Sequence, residues 1–139
     1  MGIKSNREIY TISQLLDRAK EGTYSVHKPS NVVRKQTDAD LINFVLEGWI
    51  LPSCVMVESS NGRNPVLVHI TGEGRMGVLM EFVRNKSPLR LEDVEVYFRD
   101  LPDESTFTIL STEVVFNVLS NEVDFHTARS YGFVLQELG

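Results

Sequence analysis

A turn between a predicted strand and a predicted helix holds the residues best suited to chemistry. Residues 69–76 read HITGEGRM, with two glycines, a carboxylate and a guanidinium within positions 72–75. Glycines remove side-chain bulk and a helix N-terminus carries partial positive charge, so backbone amides there can approach an anion. Arg75 offers a bidentate fork for phosphate, and Glu73 could hold a cation or act as a general base. The alternative reading is a tight structural turn without a ligand.

The other residues that carry chemistry are widely spaced. The histidines lie more than forty residues apart, at His27, His69 and His126. No ligand-like interval joins them to each other or to Cys54, so the sequence predicts no metal site. His69 alternates with Ile70 on a predicted strand and is interpreted as a packed or rim residue. Cys54 is interpreted as a buried, inert thiol, and being single it excludes an intramolecular disulfide.

The elements that must position the turn follow from apolar spacing and capping signals. A capping box at Thr11 and a stop at Gly22 predict the first helix. Turn signals at residues 61–65 lie between two β-branched runs and predict a hairpin. The elements predicted in the first part of the chain are a helix at 11–22, a strand at 23–26, a loop at 27–36, a helix from 37 to 48, strands at 54–58 and 66–70, and a helix at 76–83.

The second part of the chain gives weaker patterns. Two prolines and many charges predict short helical or irregular pieces over residues 87–104. Alternating apolar residues predict strands at 107–109 and 114–118, and residues 124–138 are compatible with a final helix. Helices and hairpins are segregated along the chain, so the sequence predicts an α+β fold with a small mixed sheet flanked by helices, in one domain spanning residues 1–139.

Large apolar side chains next to these elements are assigned to the core. Trp49 follows the second helix and is predicted to pack beside Leu51. Three methionines, Met56, Met76 and Met80, are likewise predicted to fill core space.

Composition and charge narrow the class of protein. The chain has 139 residues, of which 42% are hydrophobic and 24% charged, as in a soluble globular domain. Fourteen basic and nineteen acidic residues leave a net charge of −5, which argues against binding through many phosphate contacts over the whole surface. No apolar stretch is long enough to span a bilayer and no secretory leader is visible, so the sequence predicts a cytoplasmic or nuclear protein without a membrane partner.

The order and spacing of these motifs resemble the ParB/sulfiredoxin-like superfamily, and most closely the N-terminal domain of GmrSD-type, modification-dependent restriction proteins. Residues 11–22 match that family's first helix, and 45–52 match its "hLeu-x-Gly-x-x-hPro" helix end. Residues 69–76 stand at its "Val-Ile-Asp-Gly-Gln-Gln-Arg-Leu" turn, and 79–82 fit the "Thr-Leu-x-x-Phe" that follows. The resemblance covers about residues 10–118 and rests on order and spacing more than on identities.

The resemblance implies nucleotide handling at this turn. In that family the turn is associated with nucleotide handling and DNA cleavage, and ParB relatives with a Gly-Glu-Arg-Arg turn bind a nucleoside triphosphate there. The ligand implied here is therefore a nucleoside triphosphate, with Mg²⁺. The implied phosphate-binding residues are Gly72, Gly74, Arg75, Asn31 and Arg34, and the implied catalytic residues are Glu73 and Arg75.

This chain departs from the family pattern at chemically important positions. Thr71 stands where the family has Asp, which removes a carboxylate able to coordinate a divalent cation. Glu73 and Gly74 replace two Gln, and the loop's Gln-Arg reads Ser30-Asn31. The sequence therefore predicts a degenerate domain that retains phosphate or nucleotide recognition with weak or no hydrolysis.

Two other functions stay open at this point. One is a non-enzymatic protein-interaction module, of viral or mobile-element origin, that uses its acidic second half or the Trp49 region. The other is direct DNA binding, which the family association supports and the charge balance opposes.

Overall fold

The chain forms an α+β structure with a five-stranded mixed sheet, as predicted. The computed structural model describes residues 5–26, 36–59, 65–91 and 93–119. The predicted site residues Asn31 and Arg34 and the predicted helix at 124–138 lie outside these ranges. The elements, in chain order, are β1 (Ser5–Thr11), α1 (Ile12–Glu21), β2 (Tyr24–Ser25), α2 (Gln36–Leu46), β3 (Cys54–Ser59), β4 (Val66–His69), α3 (Glu73–Val83), β5 (Leu89–Leu91), β6 (Val94–Val96), a 3₁₀ turn (Phe98–Asp100), α4 (Asp103–Leu110) and β7 (Glu113–Leu119).

The sheet has the strand order β1-β7-β3-β4-β2. β1 and β7 pair antiparallel, with Ser5 opposite Leu119 and Thr11 opposite Glu113. β3 runs parallel to β7 and antiparallel to β4, which confirms the predicted β3–β4 hairpin. The short β2 adds in parallel to β4. The first and last described strands are therefore neighbours, and β1 forms one edge.

Local capping signals set the ends of α1. The Thr11 hydroxyl accepts a hydrogen bond from the Gln14 amide at 3.1 Å, and the Gln14 side chain accepts one from the Thr11 amide at 2.8 Å. Gly22 ends the helix in the left-handed conformation, with φ of 78°. The predicted first helix is confirmed, and its physical cause is the reciprocal satisfaction of two amides that a helix start leaves unpaired.

The main core centres on Phe116 of β7. Its ring lies 5.5 Å from that of Tyr10, 5.7 Å from that of Tyr24 and 5.5 Å from that of His69. Every residue of α3 from Met76 to Val83 is buried, so this helix runs through the interior and not along the surface. The predicted burial of the three methionines, Met56, Met76 and Met80, is confirmed.

Two sequence predictions about elements and packing are wrong. Residues 107–109 belong to α4 and not to a strand. Trp49 is 56% exposed and does not fill the core. The prediction for residues 87–104 is confirmed in part: the 3₁₀ turn and the start of α4 are short helical pieces, but β5 and β6 form a hairpin that the sequence did not predict. In addition, β1 covers residues to which the sequence assigned no element. None of the helices in the described ranges is long and apolar enough to cross a bilayer.

Candidate functional site

Gly72 makes the connection between β4 and α3. It has a φ of 79° and caps the N-terminus of α3. A Cβ placed on Gly72 would lie 2.5 Å from the Sγ of Cys54 and 2.9 Å from a guanidinium nitrogen of Arg75. Both the left-handed backbone and this close approach require glycine, so Gly72 has a structural role whether or not a ligand binds.

The turn is hydrogen-bonded to the start of β3. The amides of Ile70 and Thr71 both donate to the Val55 carbonyl, at 2.8 and 3.2 Å. In return the Thr71 hydroxyl accepts from the Val55 amide at 2.9 Å. Thr71 is thus engaged in holding the turn, at the position where the resembled family carries a carboxylate.

Arg75 points towards the chain that enters β3. Its Nη2 donates to the Pro52 carbonyl at 3.1 Å and lies 3.5 Å from the Sγ of Cys54. Its Nε is buried and has no hydrogen-bond partner within the described part of the chain. The bidentate fork expected to face a phosphate is therefore partly used inside the protein, where it ties α3 to the segment before β3.

Cys54 lies beneath this arginine. The thiol is free and fully buried. Burial raises its pKa, and the nearby positive charge of Arg75 opposes that shift without reversing it. The thiol therefore stays protonated at neutral pH and packs as a small apolar group, in agreement with the prediction that it is buried.

His69 is held between Tyr24 and the turn. Its Nδ1 lies 3.0 Å from the Thr71 carbonyl and its Nε2 lies 2.7 Å from the Tyr24 hydroxyl. A carbonyl only accepts, so Nδ1 carries the proton, and in the neutral ring Nε2 accepts from Tyr24. Burial lowers the pKa of His69 although the Thr71 carbonyl and Glu73 favour its charged form. His69 thus supports the turn as a packed neutral imidazole, one of the two roles predicted for it.

The first turn of α3 offers backbone donors. The Met76 amide donates to the Gly72 carbonyl at 3.0 Å, as the first bond of the helix. The amides of Gly74 and Arg75 lie in the turn before that bond, and Gly72 has no side chain with which to cap them. Gly74 is exposed, and a Cβ placed on it would meet open space. The chemistry available here is anion binding by main-chain N–H groups.

The structure brings together part of the predicted site. Gly72, Glu73, Gly74 and Arg75 share one turn, with Glu73 half-buried and near enough to His69 to affect its pKa. In the described ranges no group of three His, Cys, Asp or Glu side chains could hold a metal ion. The resembled family's Mg²⁺ would therefore find one carboxylate in this turn, that of Glu73.

The sequence also missed a surface. Trp49 was assigned to the core, yet its ring stacks on exposed Phe44 at 5.3 Å, and the following Ile50 is 88% exposed. Three consecutive apolar residues, 49–51, between a glycine and a proline were the available signal, because successive side chains of a short irregular segment point in different directions; of the three, Leu51 is buried.

Comparisons of the chain with protein-family models, with curated proteins and with solved structures each returned no significant match.

Proposed function

We propose that the chain recognises the phosphate groups of a nucleotide at the N-terminus of α3, with weak or no hydrolysis. The observation that supports this most directly is the opening of α3 at Gly72, which leaves the amides of Gly74 and Arg75 ahead of the first helical hydrogen bond. An N-terminal turn of this kind combines donors with the positive end of the helix dipole. The resemblance to nucleotide-handling domains favours the same turn.

Arg75 has a smaller role in phosphate binding than the sequence predicted. Because Nη2 is bound to the Pro52 carbonyl, Arg75 contributes positive charge and holds the turn in place. Gly74 lets a phosphate approach, since open space surrounds its Cα on the side where a Cβ would stand. The amides supply the hydrogen bonds, with Gly72 fixing their direction.

Recognition without efficient hydrolysis follows from the chemistry of the turn. The Thr71 hydroxyl is engaged by the Val55 amide and supplies no carboxylate. Mg²⁺ usually takes one or two carboxylates together with phosphate oxygens, and Glu73 could provide one of them. A divalent ion would therefore enter as part of the nucleotide complex, with Glu73 as its protein contact in this turn.

The test uses a matched pair of substitutions at Gly74. Gly74→Asp places a negative charge in front of the amides, and Gly74→Asn adds a side chain of similar size without charge. Isothermal titration with tripolyphosphate, and with ATP in the presence and absence of Mg²⁺, should show binding to the wild type. Gly74→Asp should weaken it about tenfold or more and Gly74→Asn much less, because only the aspartate repels the phosphate; a tenfold loss corresponds to about 1.4 kcal/mol.

Both variants should fold, since Gly74 is exposed and an acidic residue in the first turn favours the helix dipole. Absence of binding to the folded wild type at millimolar ligand would refute the proposal. Equal affinities for the Asp and Asn variants would also refute it, because the ligand would then bind elsewhere.

A further inference from the structure

Large apolar side chains are exposed around the segment that follows α2. They are defined here as the Trp49 patch: Ile9, Phe44, Trp49, Ile50 and Phe107, which are 50%, 44%, 56%, 88% and 72% exposed. A fully exposed large side chain presents roughly 150–250 Å² of surface. Scaled by the exposed fractions of the five residues, the patch offers on the order of 600 Å² of apolar surface. That is at the upper end for the largest patch of a monomer, and such patches are often functional.

The patch surrounds a groove of about 490 Å³. Ile9 of β1 and the segment Trp49–Ile50 line it, and Thr108 and Ser111 form the side contributed by the end of α4. Phe107 borders this side of the groove, because it lies four residues before Ser111 on the same face of α4. The patch is therefore one surface built from three parts of the chain.

Trp49 is held in a defined orientation despite its exposure. Its ring stacks on that of Phe44 at 5.3 Å with an interplanar angle of 18°. Its indole N–H donates to the Glu47 carboxylate at 2.9 Å. Preorganised aromatic side chains lose little entropy on binding and are common energetic anchors of interfaces.

The charges around the groove are mainly acidic. Glu113 lines the groove, and the Glu47 carboxylate accepts the hydrogen bond from the indole of Trp49. Both carboxylates are on exposed residues. Arg7 is the basic residue among the described residues that line the groove. A ligand with apolar anchors and flanking positive charges would complement this surface.

We propose that the Trp49 patch docks a basic amphipathic helix of a partner protein. A second copy is disfavoured, because a two-fold contact would bring Glu47 and Glu113 of both copies onto the same interface. Strand addition to β1 is disfavoured too, since of the patch residues only Ile9 lies on that strand. An amphipathic helix instead presents three or four apolar anchors on one face.

The experiment uses Trp49 as the reporter, because it is the chain's single tryptophan. The probes are two Trp-free helical peptides of about 18 residues, or five turns. Both carry Leu at i, i+3, i+4 and i+7 spacing, and the other positions are mainly Lys in one peptide and mainly Glu in its twin. Titration of the full chain with the Lys peptide should shift Trp49 emission to shorter wavelength and saturate, whereas the Glu peptide should leave it unchanged.

Matched variants separate the patch from general charge attraction. Ile50→Asp should weaken the Lys peptide about tenfold, and Val94→Asp should not, because Val94 is comparably exposed at 60% but lies in the β5–β6 hairpin. Binding of neither peptide, equal binding of both, or equal effects of the two variants would overturn the proposal. A concentration-dependent emission shift without peptide, with dimers in sedimentation, would replace it by self-association.

Discussion

Gly72 packs closely against Cys54. The left-handed φ of Gly72 costs an alanine roughly 1–2 kcal/mol, and the Sγ of Cys54 lies 2.5 Å from the position of the alanine Cβ. Gly22, at the end of α1, has nearly the same φ of 78° and nothing within 4 Å of such a Cβ. A comparison of alanine substitutions at the two glycines therefore distinguishes the cost of backbone strain from the cost of steric conflict.

Gly72→Ala should destabilise the protein more than Gly22→Ala. We expect about 1 kcal/mol for Gly22→Ala from the backbone alone, and about 2–4 kcal/mol for Gly72→Ala, since overpacking adds typically 1–3 kcal/mol. Urea unfolding followed by circular dichroism measures both. Adding Cys54→Ala to Gly72→Ala should recover part of the steric cost. Equal costs for the two single variants would show that the neighbourhood of Gly72 yields without strain.

A second prediction at residue scale concerns His69 and pH. Tyr24, Glu73 and Arg75 are the titratable or charged groups that interact with its ring, and burial gives the ring a pKa below the ordinary 6.5. As the pH falls through that ordinary value the unfolded chain takes up the proton before the folded one does. The stabilisation is thus complete above about pH 6.5 and is lost progressively as the pH falls towards the folded-state pKa.

His69→Gln isolates this effect because glutamine does not titrate. Between about pH 7 and pH 5.5 the wild type should lose up to about 1 kcal/mol more stability than the variant does. Urea unfolding over that pH range gives the difference, and comparison with the variant cancels the other titrating groups. Parallel stability curves for the two proteins would mean that His69 titrates alike in the folded and unfolded chain.

At the scale of elements, sequence prediction succeeded where the controlling interactions are local. The capping box of Thr11 and Gln14, the end at Gly22 and the turn before α3 each depend on residues within a few positions of one another. The hairpin of β3 and β4 follows from two apolar runs close in sequence. In the candidate site the glycines of the turn were found for the same reason.

The prediction of a strand at 107–109 was wrong because threonine side chains form hydrogen bonds within a helix there. Thr106 and Thr108 favour strands by propensity, but in α4 their hydroxyls donate to the carbonyls of Asp103 and Glu104, each at 2.9 Å. These bonds satisfy both hydroxyls within the helix. Pro102, followed by two acidic residues, was the competing signal for a helix start. The alternation of apolar residues at 107–109 predicted a strand instead.

β1 and the contacts of Arg75 illustrate a second limit. The strand Ser5–Thr11 is polar and mostly exposed, and it exists because β7, more than a hundred residues later, pairs with it. The bond from Arg75 to Pro52 likewise joins residues distant in the chain. The local sequence around β1 does not indicate its pairing with β7, and the sequence around Arg75 does not indicate its contact with Pro52. Neither β1 nor the orientation of the guanidinium could therefore be predicted.

At the scale of the whole molecule, the net charge disfavours DNA as a ligand but is compatible with a small phosphate ligand. With a net charge of −5, broad contact with a polyanion is unfavourable, whereas a single phosphate group needs only a few amides and one nearby guanidinium. The same acidity favours a basic peptide at the Trp49 patch. The two proposed ligands thus have opposite charge and occupy different surfaces of one scaffold.

The segment from Gly48 to Ser53 connects these surfaces. Its first half carries Trp49 and Ile50 at the groove, and the Pro52 carbonyl in its second half accepts the hydrogen bond from Arg75. The side chain of one residue of α3 therefore helps to hold the segment that presents the patch. Loss of that bond should affect both the stability of the core and the order of Trp49.

Arg75→Met removes the bond while keeping the apolar stem of the side chain. We expect a loss of about 1–2 kcal/mol, in the lower range for a half-exposed hydrogen bond from a charged donor, together with stronger quenching of Trp49 by acrylamide. Arg84→Met is the matched control, because Arg84 is exposed and follows the other end of α3. Urea unfolding and quenching measure the two effects separately. If Arg75→Met lowers stability and leaves quenching at the value of Arg84→Met, the arginine stabilises α3 alone, and Trp49 takes its orientation from Phe44 and Glu47.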